Sequence, residues 1–246
     1  MPHFLINTKD INGDIISVSD KETLKHLAGS LRIRAGETLR FVDEKGIQYI
    51  CEVTEVSNKQ LKARILEAFQ SARKLKFDLC LVLGVLKNEA QDLAIANATQ
   101  LGVKSVYPVM CSNSTVSANI ALKKNERWQK IAFESFKQCE RADIPEIFDV
   151  SSLGTVLSVK NSANIIVFAE KNADTTLADA LKSADLNSEI YAVVGPEGGF
   201  SDDEFEYFKQ KNFPCVSLGN LILKAPNAVS VGLGNIIYET ERLLNG

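Results

Sequence analysis

Ile190-Tyr191-Ala192-Val193-Val194-Gly195-Pro196-Glu197-Gly198-Gly199-Phe200-Ser201-Asp202-Asp203-Glu204 is the stretch on which the fold turns. Its first five residues are an unbroken apolar run, the pattern of a buried strand. Ser201-x-x-Glu204 is a capping box, in which each side chain satisfies the other residue's backbone N–H at a helix start. A glycine loop stands between them. Glycine has no Cβ and reaches positive φ without strain, so backbone here can come close to a small ligand. Pro196 keeps Gly195 out of helical angles, which makes the loop stiff as well as bare. Ligands often occupy such strand-to-helix switch points, although an ordinary tight turn reads the same way.

Working outward, the ligand class narrows by exclusion. A phosphate-cradling Walker loop needs a lysine after its glycines, and none follows here. Gly232-Leu233-Gly234 begins a dinucleotide fingerprint, but it lies within a helical pattern and lacks the third glycine. The two histidines, His3 and His26, and five scattered cysteines without a Cys-x-x-Cys form no metal-ligand spacing, so no metal and no disulfide is expected.

Upstream and downstream of the loop, apolar runs alternate with helical patterns. Runs 79–83, 105–110, 165–169, 190–194 and 214–218 read as buried strands. Residues 89–101, 124–141 and 228–244 read as helices. This alternation predicts a mostly parallel sheet covered on both faces. The first 70 or so residues differ. Short β-branched runs at 4–6, 15–18, 38–42, 48–56 and 61–69 are separated by Asn12-Gly13, Ala35-Gly36, Lys45-Gly46 and Ser57-Asn58, with one helix from about Ser19-Asp20. That spacing suggests a small barrel. Residues 70–76 read as a polar linker, giving domains at 1–72 and 73–246.

Hydrophobic residues make up 45% of the 246 and charged residues 24%, the balance of an ordinary globular protein. No apolar run approaches membrane-spanning length and no signal segment opens the chain, so a cytoplasmic location and no membrane partner are expected. The net charge of −3 is uneven. Residues 1–75 hold 12 basic against 10 acidic side chains, and the remainder 16 against 21. A local basic patch on an acidic body is compatible with RNA binding.

On a helical wheel, Arg127, Glu134, Gln138 and Arg141 fall on one edge, with Lys130 and Lys137 beside them. Trp128, Ala132, Phe136 and Cys139 gather opposite. The cationic edge, extended by Lys123 and Lys124, is either a solvated face or a phosphate contact. Lys87, just before a helix N-terminus, is unfavourable for the helix dipole and favours an anion-contact role.

Gly-Pro-Glu-Gly-Gly-Phe-Ser-x-x-Glu, followed by Leu218-Gly219-x-x-Ile222-Leu223-Lys224-x-x-x-Ala228, resembles the C-terminal signature of the SPOUT-class bacterial 16S rRNA (uracil-N3-)methyltransferases. His26-Leu27-x-x-x-Leu31-Arg32, Leu101-Gly102-Val103, Glu126-Arg127-Trp128-x-x-Ile131 and Gln138-x-x-Arg141-x-x-Ile144-Pro145 extend the likeness along nearly the whole chain. The resemblance implies an α/β fold: a C-terminal parallel sheet tied in a trefoil knot, after a PUA-like RNA-binding β-barrel. It also implies a homodimer that methylates 16S rRNA in the small ribosomal subunit. S-adenosylmethionine would be held by Ala169, Glu170, Gly195, Pro196, Glu197, Gly198, Gly199, Leu218, Gly219, Ile222, Leu223 and Ala228. RNA contacts would come from His26, Arg32, Arg34, Lys87, Lys123, Lys124, Arg127 and Gln138. Arg141, Glu197 and Lys224 would stand at the chemistry. Glu197 is the carboxylate best placed by sequence to accept the N3 proton, its other reading being a residue that shapes the loop. The chain departs from the family pattern at Leu221, Lys224 and Pro226-Asn227, where arginine, arginine and Glu-Thr are usual. Two alternatives stand beside this reading: a non-catalytic RNA-binding relative acting in ribosome assembly, and a SPOUT enzyme for another RNA.

Overall fold

The computed structural model describes residues 3–43, 46–57, 59–70, 74–139, 141, 143–160 and 164–245. The turn residues Lys45 and Asn58 and the linker residues 71–73 lie outside these. The chain forms two compact units, one of residues 1–74 with 136–143, the other of residues 75–135 with 144–246.

The first unit is a sheet of β1 (His3–Leu5), β2 (Ile11–Asn12), β3 (Ile15–Val18), β4 (Thr38–Val42), β5 (Ile47–Val56) and β6 (Leu61–Gln70), ordered β1-β4-β5-β6-β3-β2. Among the described residues only β1 and β4 pair in parallel in this sheet. Gly13, at φ +63, makes the turn between β2 and β3, which a residue with a Cβ adopts only under strain. Side chains alternate with the pleat, so Ile16 and Val18 are buried while their neighbours are not. Phe4, Ile16, Leu27, Phe41, Cys51 and Leu61 form the core. The expected small barrel takes the form of a curled half-barrel. Its end strands β1 and β2 are only three and two residues long, too short to zip the sheet closed. The helix expected near Ser19-Asp20 is α1 (Lys21–Leu24), started by the Asp20 carboxylate accepting from the Thr23 N–H at 2.8 Å and continued by a π-helical segment, Lys25–Ser30.

The second unit carries an all-parallel sheet. Its strands are β7 (Leu79–Gly84), β8 (Ser105–Met110), β9 (Glu146–Ile147), β10 (Ser151–Ser152), β11 (Ile165–Phe168), β12 (Ile190–Val194) and β13 (Cys215–Val216). The order is β10-β8-β7-β12-β11-β13, with β9 beside β8. Every residue of β7, β11 and β12 is buried, which is why these strands read as unbroken apolar runs rather than alternating ones. The pleat sends Leu79, Leu81, Leu83, Ala192 and Val194 to one face, against α2 (Asn88–Gln100) and, later in the chain, Val229, Leu233 and Ile236 of the C-terminal helix. Cys80, Val82, Tyr191 and Val193 go to the other face, with Leu153, Val156, Leu157 and Phe208. Each large side chain buried this way contributes about 1.5–3 kcal/mol.

The remaining helices are α3 (Ala118–Leu122), α4 (Asn125–Cys139), α5 (Leu153–Ser158), α6 (Leu177–Lys182), α7 (Asp202–Gln210) and α8 (Ala225–Asn245). The capping box forms as read: the Glu204 N–H donates to Ser201 Oγ at 3.3 Å and the Ser201 N–H to Glu204 Oε2 at 2.8 Å. Helix α8 starts three residues before its expected start, because proline is tolerated in a first turn and Pro226 opens the helix instead of blocking it. Gly232, in mid-α8, is required by packing rather than by a cofactor. A Cβ there would stand 2.6 Å from the Phe168 ring.

Candidate active site

A cavity of about 710 Å³ opens beyond the carboxyl ends of β11, β12 and β13 in the second unit. Parallel sheets leave their ligand crevices on this side, because backbone loops and helix N-termini converge there. Its walls are Phe168–Lys171 after β11, Val194–Phe200 after β12 and most of residues 217–224 after β13, with the first turns of α2 and α8. All twelve residues assigned to cofactor binding from the resemblance line this one cavity, and so does Lys224. The parallel crossovers thus bring Ala169 and Ala228, far apart in the chain, to one opening.

Leu218, Ile222 and Leu223 are not simply core. Ile222 is 75% and its neighbour Leu221 82% exposed, although both are large and apolar. Leu93 of α2 is also half exposed and lines the same space. Apolar side chains concentrated around one opening mark a binding surface rather than scattered surface leucines. Phe168, Phe205 and the first turn of α2 were not foreseen as walls. They lie outside the motifs, and only the exposed Leu93 offered a signal, visible once α2 had a defined outer face. Among the described residues, no group of three His, Cys, Asp or Glu side chains could hold a metal ion, and no helix is long and apolar enough to cross a membrane.

The glycine loop is positioned in detail. Gly84, ending β7, lies so close beneath Pro196 that an added Cβ would meet the Pro196 nitrogen at 2.5 Å. Glu197 Oε1 accepts the backbone N–H of Lys87 at 2.9 Å. The Asn113 amide donates to the carbonyls of Gly198 (3.1 Å) and Gly199 (3.3 Å). Gly199 takes φ +67 and closes a turn to the Pro196 carbonyl at 2.9 Å. Glu204 also ties α7 to the loop after β8, since Oε1 accepts the Ser112 N–H at 2.8 Å. Cys111 opens that loop, and burial, reinforced by the Glu204 charge, pushes its thiol up to about 12.

The cationic residues divide. Lys87 is the N-cap of α2 and is exposed, as are Lys123 and Gln138. Lys124 Nζ donates to Asn88 Oδ1 at 2.9 Å, and the Arg127 guanidinium chelates Asp92 at 3.1–3.2 and 2.5 Å. Two members of the expected phosphate edge are therefore engaged with α2. Helix α4 ends at Cys139 rather than near Arg141, which corrects the wheel: Arg141 leaves the helical period, is 5% exposed and pairs with Asp143 at 3.2 Å. Trp128, Ala132 and Phe136 are buried as the wheel has them, while Cys139 is only partly so. In the first unit Arg32 and Arg34 are exposed, and His26 meets Phe4 edge-on at 5.7 Å.

Comparison with known proteins gives these walls a lineage. Residues 73–236 match the model of the RNA methyltransferase domain, and residues 18–66 that of the RNA methyltransferase PUA domain. Ribosomal RNA small subunit methyltransferase E of Bacillus subtilis is 27% identical over 229 residues, covering 90% of each chain. The protein of the same name from Helicobacter pylori is 30% identical over 213 residues, covering 84% of this chain and 88% of its own. The crystal structure of a Ribosomal RNA small subunit methyltransferase E from Neisseria gonorrhoeae bound to S-adenosyl methionine shares the fold at a TM-score of 0.84, with 22% identity and 96% of each chain covered. The domain model spans most of the chain and the relatives nearly all of it, so the chain belongs to the RNA methyltransferase family that includes the ribosomal RNA small subunit methyltransferases E.

Proposed function

We propose that this protein transfers a methyl group from S-adenosylmethionine to uracil N3 of a uridine in 16S rRNA. The observation that carries this reading is the cavity itself, where bare glycine backbone at 195–199 faces the exposed apolar residues of 218–223. The residues present suit the ligand. Leu218, Ile222 and Leu223 provide an apolar slot for adenine, and bare glycine backbone stands beside them to read its edge. The charged lining residues are Glu89, Glu170, Glu197, Lys171 and Lys224, three acids against two bases, a balance that suits a sulfonium cation.

When bound, S-adenosylmethionine supplies an electrophilic methyl group on a positively charged sulfur. The protein's task is then largely positioning. Uracil N3 is held in line with that methyl, the N3–H bond gives way to an N3–C bond, the sulfur keeps the electron pair of the broken bond, and the proton passes to water. N3 takes part in base pairing, so the uridine must be presented out of any duplex. Lys224 lines the cavity and supplies positive charge toward the RNA. The exposed Arg32, Arg34 and Gln138 of the first unit contact phosphates, as do Lys87 and Lys123 of the second, and Arg141 keeps a buried supporting role within the first unit. Residues 1–72 serve as the RNA-binding domain and 73–246 as the knotted catalytic domain. The enzyme works as a homodimer in the cytoplasm.

Calorimetry with S-adenosylhomocysteine, joined to mass spectrometry of 16S rRNA from a strain lacking the gene, tests the proposal. Cofactor-product binding and loss of one N3-methyluridine are expected. An unchanged N3-methyluridine content would exclude the assigned target.

A further inference from the structure

The glycine loop reaches the cavity gripped from three sides, and two of those grips come from side chains, Glu197 of the loop itself and Asn113 after β8. We propose that Glu197 and Asn113 are positioning residues, which clasp the loop in its binding shape, and that Glu197 is not the proton acceptor of the reaction. This inference rests on the methyl-transfer reading above and assigns a role within its site.

The geometry of Glu197 is that of a helix cap supplied from a distance. Lys87 is the N-cap of α2, and its side chain makes no capping bond. A capping box would place an acidic side chain three residues on to accept the N-cap N–H. Here Glu197, 110 positions away, takes that part with its Oε1 at 2.9 Å. The carboxylate thus sits at the N-terminus of a 13-residue helix, with Oε1 occupied by the N-cap N–H and so committed to joining the loop to α2. Gln91 braces the same corner, its Oε1 accepting the Leu86 N–H at 2.7 Å. A carboxylate held this way fixes the loop rather than accepting a proton.

Asn113 holds the other flank. One amide group donates to two successive carbonyls, which only a loop in this one shape presents together. Its backbone also fills the place of a Gly198 side chain. A Cβ on Gly198 would stand 2.9 Å from Asn113 Cβ and 3.1 Å from its carbonyl oxygen. Gly84 beneath Pro196 completes the clasp. The glycines are therefore read twice, bare toward the cavity and bare toward their supports.

The test uses full-length Glu197→Gln, Glu197→Ala, Asn113→Ala and the parent. The amide oxygen introduced by Glu197→Gln can still accept the Lys87 N–H, but without charge assistance. That variant should therefore raise KM for S-adenosylmethionine about fivefold while kcat keeps its parental pH profile. Glu197→Ala and Asn113→Ala should raise KM about tenfold or more. A collapse of kcat in Glu197→Gln, with loss of the parental pH dependence, would overturn the assignment and make Glu197 the general base. Amide hydrogen exchange without ligand separates this question from the methyl-transfer reading. Faster exchange at Lys87 in Glu197→Ala and at Gly199 in Asn113→Ala, at unchanged melting temperature, supports the clasp even if the parent binds no S-adenosylhomocysteine. Unchanged exchange at both amides overturns it.

Discussion

Residues 195–199 and residues 217–224 face the same cavity, yet distant segments hold the first and largely local bonds hold the second. The glycine loop is tied to the end of β7, the N-cap of α2 and the loop after β8. The later loop bonds mostly to itself, with Ser217 Oγ donating to the Gly219 carbonyl at 3.0 Å and accepting the Gly219 N–H at 3.1 Å. Its end leads into α8 through the Lys224 carbonyl, which accepts from Asn227 and Ala228. One wall is preorganised backbone. The other is exposed apolar side chain awaiting a surface to cover it. Binding can then be both specific and adjustable: the rigid wall sets orientation at little ordering cost, and the apolar wall gains its stabilisation only when ligand removes it from water.

Breaking the rigid wall should have the largest effect. Gly84→Ala places a methyl 2.5 Å from Pro196 N. It should lower stability by about 1–3 kcal/mol in denaturant titration and weaken S-adenosylhomocysteine binding as the loop shifts. A loss of stability without that loss of affinity would separate the loop from the site. Raising the pH tests the support more gently. The Cys111 thiol lies about 12 when folded, above its ordinary value of 9.0. The unfolded chain therefore releases this proton first, and the Cys111 contribution is intact below pH 9 and lost as the pH rises toward 12. The slope is about 1.4 kcal/mol per pH unit for this thiol. Cys111→Ala should flatten the decline in melting temperature between about pH 9 and 11 by that share; an equal slope would place the loss elsewhere. Ser201→Ala removes the cap of α7, with an expected cost of about 1 kcal/mol by thermal melting. Because Glu204 keeps its bond to the Ser112 N–H, the affinity should change less than the stability.

The apolar wall should behave in the opposite way. Leu221→Ser, at a side chain 82% exposed, should shift stability by less than about 0.5 kcal/mol. The same substitution should reduce RNA methylation measurably. A melting temperature several degrees lower would show that the loop is already packed without ligand, and the contrast between the walls would fail.

The two walls were legible to different degrees. The glycine loop and its capping box could be read because their requirements are local: strand period, Cβ-free positions and a Ser-x-x-Glu spacing all act within the single stretch 190–204. The buried strands of the second unit stood out for a related reason, since a sheet covered on both faces needs apolar side chains at every position. The end strand β2 of the half-barrel did not, because two residues show no period. Arg141 was misplaced because a wheel cannot tell where a helix stops, and α4 stops at Cys139, before it. Arg127 and Lys124 read as a free cationic edge because their partners Asp92 and Asn88 lie 35 and 36 positions away.

What the sequence by itself determined is the alternation of strands and helices, the bare loop at 195–199 and the family to which its motifs belong. These follow from local sterics and from the periodicity of burial. Only the tertiary structure decided that Glu197 caps α2, that Asn113 grips two glycine carbonyls, and that Leu221 and Ile222 stay in solvent while Arg141 is buried. Each of these depends on which distant segment lies alongside, and parallel crossovers set that by packing whole faces of the sheet. No spacing within a motif records it.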